Sequence, residues 1–453
     1  VKRRAPGSGL RAPWRTALAP ALAIACALLV APRPAAAQGI PADFDAYVER
    51  VRQAFDVPGI AVAVVKDGGV VLAKGYGVKR LGAPDPVDAD TRFGIASNSK
   101  AFTTAALAML VDEGKLAWDD PVSRHLPAFA MYDPYVSKEI TVRDLVTHRA
   151  GLGLGAGDLL WWPPTSYSRD EIVRRARFVK PASSVRSRYA YNNVLFLVAG
   201  QVVAAVSGTT WDDFVRTRIL APLGMTRTTT SVGDRAGDNV ASPHPLVNGA
   251  PSPNEPWPFD NIGPAASINS TANDLAKWAI AQLDRGAVRG NANGARLWSE
   301  AQSREMWSAQ TVQRVSDPHP ALAALKPAFA AYGLGWALAA HRGHTLVSHG
   351  GALPGYYSRV MLVPDIGLGI VVLTNQETSE AFQSVVWTLV DAYTGAAATD
   401  WIPRFRQSLD ASLAEERTTL AAQAKARATG TTPSLPLERY AGTYRDPWYG
   451  DVT

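Results

Sequence analysis

Apolar positions along this chain change their period several times, and each change marks an element. Between residues 42 and 56, Phe44, Tyr47, Val48, Val51 and Phe55 recur every three or four positions, the spacing of one helix face. Gly59 to Val65 and Val70 to Tyr76 are two apolar runs rich in β-formers, and Lys66-Asp67-Gly68-Gly69 between them predicts a hairpin. From Ala101 to Lys115 an alanine-rich stretch sets Phe102, Ala106, Met109 and Leu110 at helical intervals and meets Gly114 near its end. Residues 120–310 predict mostly helix, broken by long loops rich in Gly, Pro and Trp. Four strand-like runs follow, Gly333 to Ala340, Thr345 to His349, Arg359 to Val363 and Gly369 to Thr374, before Ser379 to Tyr393 returns to helix. No internal repeat is visible.

Strands at both ends with helices between them predict an α+β domain. One antiparallel sheet is assembled from the two ends of the chain and flanked by helices, with residues 120–310 as an inserted, mostly helical lobe. The cleft between lobe and sheet is where a ligand site belongs. Residues 38–398 make up this domain. A charged, alanine-rich helical stretch and a linker ending in Thr431-Thr432-Pro433-Ser434-Leu435-Pro436 occupy 399–436.

Composition changes the picture at one end only. A chain of 453 residues, 47% hydrophobic and 19% charged, has ample material for a core. The net charge of +6 comes from Lys2, Arg3, Arg4, Arg11, Arg15 and Arg33, since taking these six from 46 basic residues leaves 40 against 40 acidic ones. The remainder is neutral and gives no footprint for nucleic acid. Residues 1–37 combine a basic start, an apolar run from Ala17 to Val30 and the small triplet Ala35-Ala36-Ala37, which predicts a signal peptide cleaved before Gln38. The alternative, a membrane anchor, wants a longer apolar run. Export to the periplasm or beyond is expected, with no stable membrane insertion after cleavage. Cys26, the only cysteine, lies in that segment, so the mature chain has no disulfide and no thiol nucleophile.

Candidate chemistry rests on three short motifs in order: Ser97-Asn98-Ser99-Lys100, Tyr191-Asn192-Asn193 and His349-Gly350-Gly351. A serine and a lysine three residues apart share a helix face, so the amine reaches the hydroxyl and can activate it as a nucleophile. The plain alternative is a helix N-cap at Ser97 and a solvated Lys100. Tyr191 and Asn193 alone would be a core tyrosine and a capping amide. His-x-Gly occurs twice; His341-Arg342-Gly343 reads as a hairpin turn, and the copy at His349 ends a strand whose small residues let a substrate approach the backbone. No His-Glu-x-x-His and no acid cluster at ligand spacing appear, so neither metal nor cofactor is expected. Gly151-Leu152-Gly153-Leu154-Gly155 lacks the dinucleotide fingerprint and reads as a flexible loop. His349-Gly350-Gly351 also has the look of a lipase oxyanion motif, but the mature chain has no Gly-x-Ser-x-Gly elbow.

Together with Asp112 to Leu116, Asp119 to Val122, Ile140 to His148 with Gly151-Leu152, and Ser270 to Ala276, these motifs resemble the serine β-lactamase-related hydrolases of the class C type, a family that includes D-peptidases and esterases. The resemblance spans about residues 41–396 and implies a β-lactamase/transpeptidase-like fold. It implies Ser97 as the acylated nucleophile, Lys100 as base or nearby cation, and Tyr191 in the proton traffic. Asn193 would bond Lys100 and the substrate amide. The N–H groups of Ser97 and Ala352 would form the oxyanion hole, with Gly351 and His349 beside them. His349 stands where class C β-lactamases carry lysine. A group only partly charged near neutrality there fits a peptidase, amidase or esterase better than a strong β-lactamase.

The resemblance implies no catalytic part for His148, whose stretch recurs as structure. The substrate is a small molecule or peptide, and a penicillin- or peptide-recognising module that acylates without turnover is the non-enzymatic alternative. The loops Leu159 to Pro164 and Pro243 to Pro264, with Trp257 and Phe259, either wall the cleft or pack the lobe. Residues 437–453 resemble the opening strand of a small β-barrel module often appended to this family, too few to close it, so a longer protein is expected.

Overall fold

One hairpin and a returning six-stranded meander build the sheet. The computed structural model describes residues 39–234, 239–290 and 294–453; the expected signal peptide lies outside them. The eight strands are β1 (Gly59–Lys66), β2 (Gly69–Gly77), β3 (Thr311–Val312), β4 (Phe329–Tyr332), β5 (Ala337–His341), β6 (His344–Leu353), β7 (Tyr356–Val363) and β8 (Leu368–Thr374). They lie in the order β2-β1-β8-β7-β6-β5-β4-β3, all pairs antiparallel, so the two ends of the chain meet where β1 pairs with β8. The β1–β2 turn puts Asp67 and Gly68 at φ 49° and 75°, the paired left-handed geometry that suits the twist of a two-residue hairpin.

Alternation along the strands gives each face its own core. Ile60, Val62, Val64, Met361, Ile370 and Val372 point to one side, where they are buried against α1 (Phe44–Ala54), α5 (Ser379–Thr394) and the start of α6 (Trp401–Ala426). Ala61, Ala63, Val65, Val360, Val371 and Leu373 point to the other, against α2 (Ser99–Asp112), α3 (Val194–Ser207) and α4 (Ala272–Leu283). Every residue of α2 from Ser99 to Leu110 is buried, so this helix is covered all round. Phe102 stacks on Trp278 of α4 with centroids 4.0 Å apart. α3 is nearly as enclosed; no single helix among the described residues is long and apolar enough to cross a membrane.

The α+β expectation and the helices near 44, 101 and 379 match the architecture. One strand does not. Gly333 to Ala340 is a turn followed by a strand, because Gly335 sits at φ 78° and the Gly333 N–H bonds the Trp336 carbonyl at 2.8 Å, reversing the chain between β4 and β5. Residues 444–452 form a two-stranded hairpin.

Candidate active site

The site begins with a strained turn. Ala96–Asn98 is one turn of 3-10 helix leading into α2, and Ala96 has φ 50°, a conformation an alanine holds only when its surroundings impose it. Here the sheet imposes it. Ser358 Oγ on β7 donates to the Ile95 carbonyl at 2.8 Å and accepts from Asn98 Nδ2 at 2.8 Å. Gly351 on β6 lies under the same turn, and a Cβ there would fall 2.1 Å from the Ile95 oxygen. Only glycine lets strand and turn come this close.

Ser97, carried by that turn, is met from two sides. Lys100 Nζ donates to Ser97 Oγ at 3.0 Å, and Tyr191 OH donates to it at 2.8 Å. Lys100 Nζ also donates to Asn193 Oδ1 at 2.8 Å and to the Ala265 carbonyl at 3.1 Å, so each of its three protons has an acceptor. The three motifs therefore converge, and Lys100 is fully buried rather than solvated. Burial pushes its pKa down to about 7, against a smaller opposing pull from Asp158. Amine and ammonium thus coexist near neutrality, the condition a general base needs. Burial pushes the Tyr191 hydroxyl up, so it stays a donor.

His349 departs from its expected charge. Burial, then the nearby Lys100, lowers its pKa to about 3, so it is neutral across the working range rather than partly charged. Its partners fix the tautomer: Nδ1–H donates to the Gly350 carbonyl at 2.6 Å, and Nε2 accepts from Tyr332 OH at 2.9 Å.

The strand that carries His349 has an open edge. Pairing of β5 with β6 ends at Ser348 opposite Ala337. Counting bonded pairs back from the two-residue turn Pro354-Gly355, Gly351 and Leu353 bond across to β7, while Gly350 and Ala352 direct N–H and C=O to the unpaired side. The Ala352 amide is thus left for a ligand beside the turn that carries Ser97.

Three further side chains belong to the cluster. Asp158, in a turn whose preceding Gly157 has φ 85°, accepts from Asn193 Nδ2 at 3.1 Å and from Trp161 Nε1 at 3.1 Å. Burial raises its pKa. A lone aspartate in a glycine-rich loop carries no signal that would have found it. Tyr332 likewise reads as a strand aromatic until its hydroxyl meets His349. His148 is fully buried with its ring 4.1 Å from that of Tyr191 and 4.6 Å from that of Tyr332. Its Nδ1 accepts from the Asn192 N–H at 3.1 Å, and burial holds it neutral. It backs Tyr191.

The aromatic loops both wall the cleft and pack the lobe. Trp161 and Phe259 are buried edge to face with centroids 5.5 Å apart, whereas Trp162 is 43% exposed. Trp161 and Trp162 border a shallow groove with Ala352, Leu353, Tyr357 and Glu377, next to the open strand edge.

Comparison with known proteins agrees with this geometry. A model of the Beta-lactamase family matches residues 44–394. Unguisins hydrolase ungD' of Aspergillus campestris (strain IBT 28561) is 30% identical over 439 residues, covering 92% of this chain and 78% of the relative. Penicillin-binding protein 4 of Amycolatopsis lactamdurans is 30% identical over 356 residues, 76% of this chain and 88% of the relative. An octameric penicillin-binding protein homologue from Pyrococcus abyssi superimposes with a TM-score of 0.66 at 24% identity, over 79% of this chain and 78% of that one. A class C beta lactamase from Rhodobacter sphaeroides gives 0.61 at 21% identity, over 77% and 98%. At such identities the two structures speak for the fold.

Proposed function

The chain belongs to the Beta-lactamase family, and from that premise we propose that it is an exported serine hydrolase acting through an acyl-enzyme on an amide or ester, of the D-peptidase, amidase or esterase type. One observation carries the reading: a single hydroxyl, Ser97 Oγ, lies 3.0 Å from a buried lysine amine and 2.8 Å from a tyrosine hydroxyl.

In this mechanism Ser97 Oγ attacks the substrate carbonyl as its proton passes to the neutral amine of Lys100. Negative charge gathers on the carbonyl oxygen, between the N–H groups of Ser97 and Ala352. Each such donor contributes about 3 kcal/mol of barrier lowering. The bond to the leaving amine or alcohol then breaks, and the proton reaches it through Tyr191 OH. Water enters, is deprotonated by the same amine, and releases the acid and free Ser97. Asn193 Nδ2 carries a second N–H for the substrate's acyl side, and the open edge of β6 takes its backbone. Because His349 is neutral, a β-lactam's carboxylate finds no cation there, which supports weak β-lactamase activity at most. Two relatives, one named a hydrolase and one a penicillin-binding protein, support a hydrolase reading of this site. Export is supported by the basic, apolar and small-residue order of residues 1–37.

The test is product release together with intact-mass spectrometry over time, using a p-nitrophenyl ester, a β-lactam and a D-alanyl peptide. A transient adduct on the wild type, absent from Ser97→Ala, with product accumulating, is expected for the ester or peptide. A lasting adduct without product would replace the hydrolase by a recognition module. Unchanged turnover in Ser97→Ala would overturn the mechanism.

A further inference from the structure

The catalytic lysine has a counter-charge that no motif predicts. Around Lys100 stand Ser97 on its own turn, Tyr191 and Asn193 at the start of α3, the Ala265 carbonyl, His148 behind Tyr191, and His349 on β6. Both histidines are held neutral and the tyrosine is held protonated. The carboxylate of Asp158 is what acts electrostatically on the amine. It does so without touching it, through one amide. Asn193 receives Lys100 Nζ on Oδ1 and gives Nδ2 to both oxygens of Asp158, at 3.1 and 3.4 Å, so the carboxylate fixes which end of the amide faces the lysine. Trp161 Nε1 in turn holds the carboxylate.

We propose that Asp158 is a positioning residue for Lys100: it orients the Asn193 amide, and its negative charge decides the pH at which the buried amine gives up its proton. The inference rests on the acyl-enzyme reading and names who sets its working pH. The sign follows from the charges. The acid limb of kcat/KM reports the neutral fraction of Lys100 in the free enzyme. A negative neighbour favours the ammonium form, so removing it eases deprotonation and moves the limb to lower pH. An opposite charge at about 4–6 Å shifts a titration by roughly 1–3 units, and one held across an amide shifts it by less.

The experiment is the pH profile of kcat/KM for p-nitrophenyl ester hydrolysis by the full chain, in wild type, Asp158→Asn, Asp158→Glu and Ser97→Ala, with thermal melting of each. Asp158→Asn keeps the shape and loses the charge; its acid limb is expected about one unit below the wild type, with a lower plateau from the loosened amide. Asp158→Glu keeps the charge and displaces it; its limb is expected near that of the wild type, again with a lower plateau. An Asp158→Asn limb that stays in place or rises, in a protein that melts like the wild type, would overturn the inference. If Asp158→Asn does not fold, an Asp158→Glu limb displaced downward by a full unit overturns the role of charge, and an unmoved one supports it. Ser97→Ala separates the two levels: turnover retained there sinks the acyl-enzyme reading, whereas an inert Ser97→Ala with an unmoved Asp158→Asn limb sinks only the role of Asp158.

Discussion

The two faces of the sheet use the same alternating strands for different ends. The face under α1 and α5 is an apolar core in which Ile60, Val62, Val64, Met361, Val385 and Leu389 meet almost without solvent. The face under α2 is equally buried, yet beside the open end of β6 its core gives way to Lys100, Asn193, Tyr191, Tyr332, His148 and His349. Burying a lysine and two histidines costs stability unless each polar atom has a partner. Most of these atoms are partnered, and the cost that remains appears as a lysine poised near neutrality. One face is arranged for stability and the other spends some of it on reactivity.

Substitutions on the two faces should therefore separate. The largest effect is expected from Ser97→Ala, which leaves the core untouched and should cut kcat/KM by about 10⁴-fold or more with the melting temperature unchanged, read by ester hydrolysis and calorimetry. On the opposite face, Leu389→Ala leaves a cavity and should cost about 2–5 kcal/mol in denaturant unfolding, while activity per folded molecule stays the same. A joint loss of activity and stability from either one would erase the distinction.

Gly351→Ala sits on the boundary. Its Cβ would meet the Ile95 carbonyl and push the turn that carries Ser97 by a fraction of an ångström or more, so kcat should fall on the order of 10²-fold with a stability loss of about 1–3 kcal/mol. The last test reverses the usual sign. Lys100 has its folded pKa at about 7 against the ordinary lysine value of 10.5, so between those pH values the unfolded chain binds more protons than the folded one. Stability contributed by this group therefore rises with pH across that window and is lowest below pH 7. Lys100→Met removes this titration and abolishes turnover, so its unfolding free energy should lose the rise with pH that the wild type shows between about pH 7 and pH 10, read by chemical denaturation.

What the sequence disclosed follows from where its signals are local. The helices at Phe44, Ser99 and Ser379 were legible because their apolar spacing is helical, and the β1–β2 turn because Asp67-Gly68 allows few alternatives. The lower reach of β6 was hidden: His349-Gly350-Gly351-Ala352 has no alternating hydrophobicity, and its strand character comes from pairing with β7. Gly333 to Ala340 misled because apolar residues continue through a turn that Gly335 reverses. Ser97, Lys100, Tyr191 and Asn193 were visible as spaced motifs. Asp158 was not, since its part depends on a contact with Asn193 across 35 residues of sequence. Nor was the neutrality of His349, because composition says nothing of burial.

The central claim is that Ser97 is the atom that becomes acylated. It is tested most directly by quenching the wild type in acid during p-nitrophenyl ester turnover, digesting it, and mapping the acyl mass by tandem spectrometry. The account predicts one acylated site, at Ser97, gained and lost on the timescale of turnover and missing from Ser97→Ala. An acyl group on another residue with turnover intact, or catalysis with no acylated serine at any time point, would contradict it.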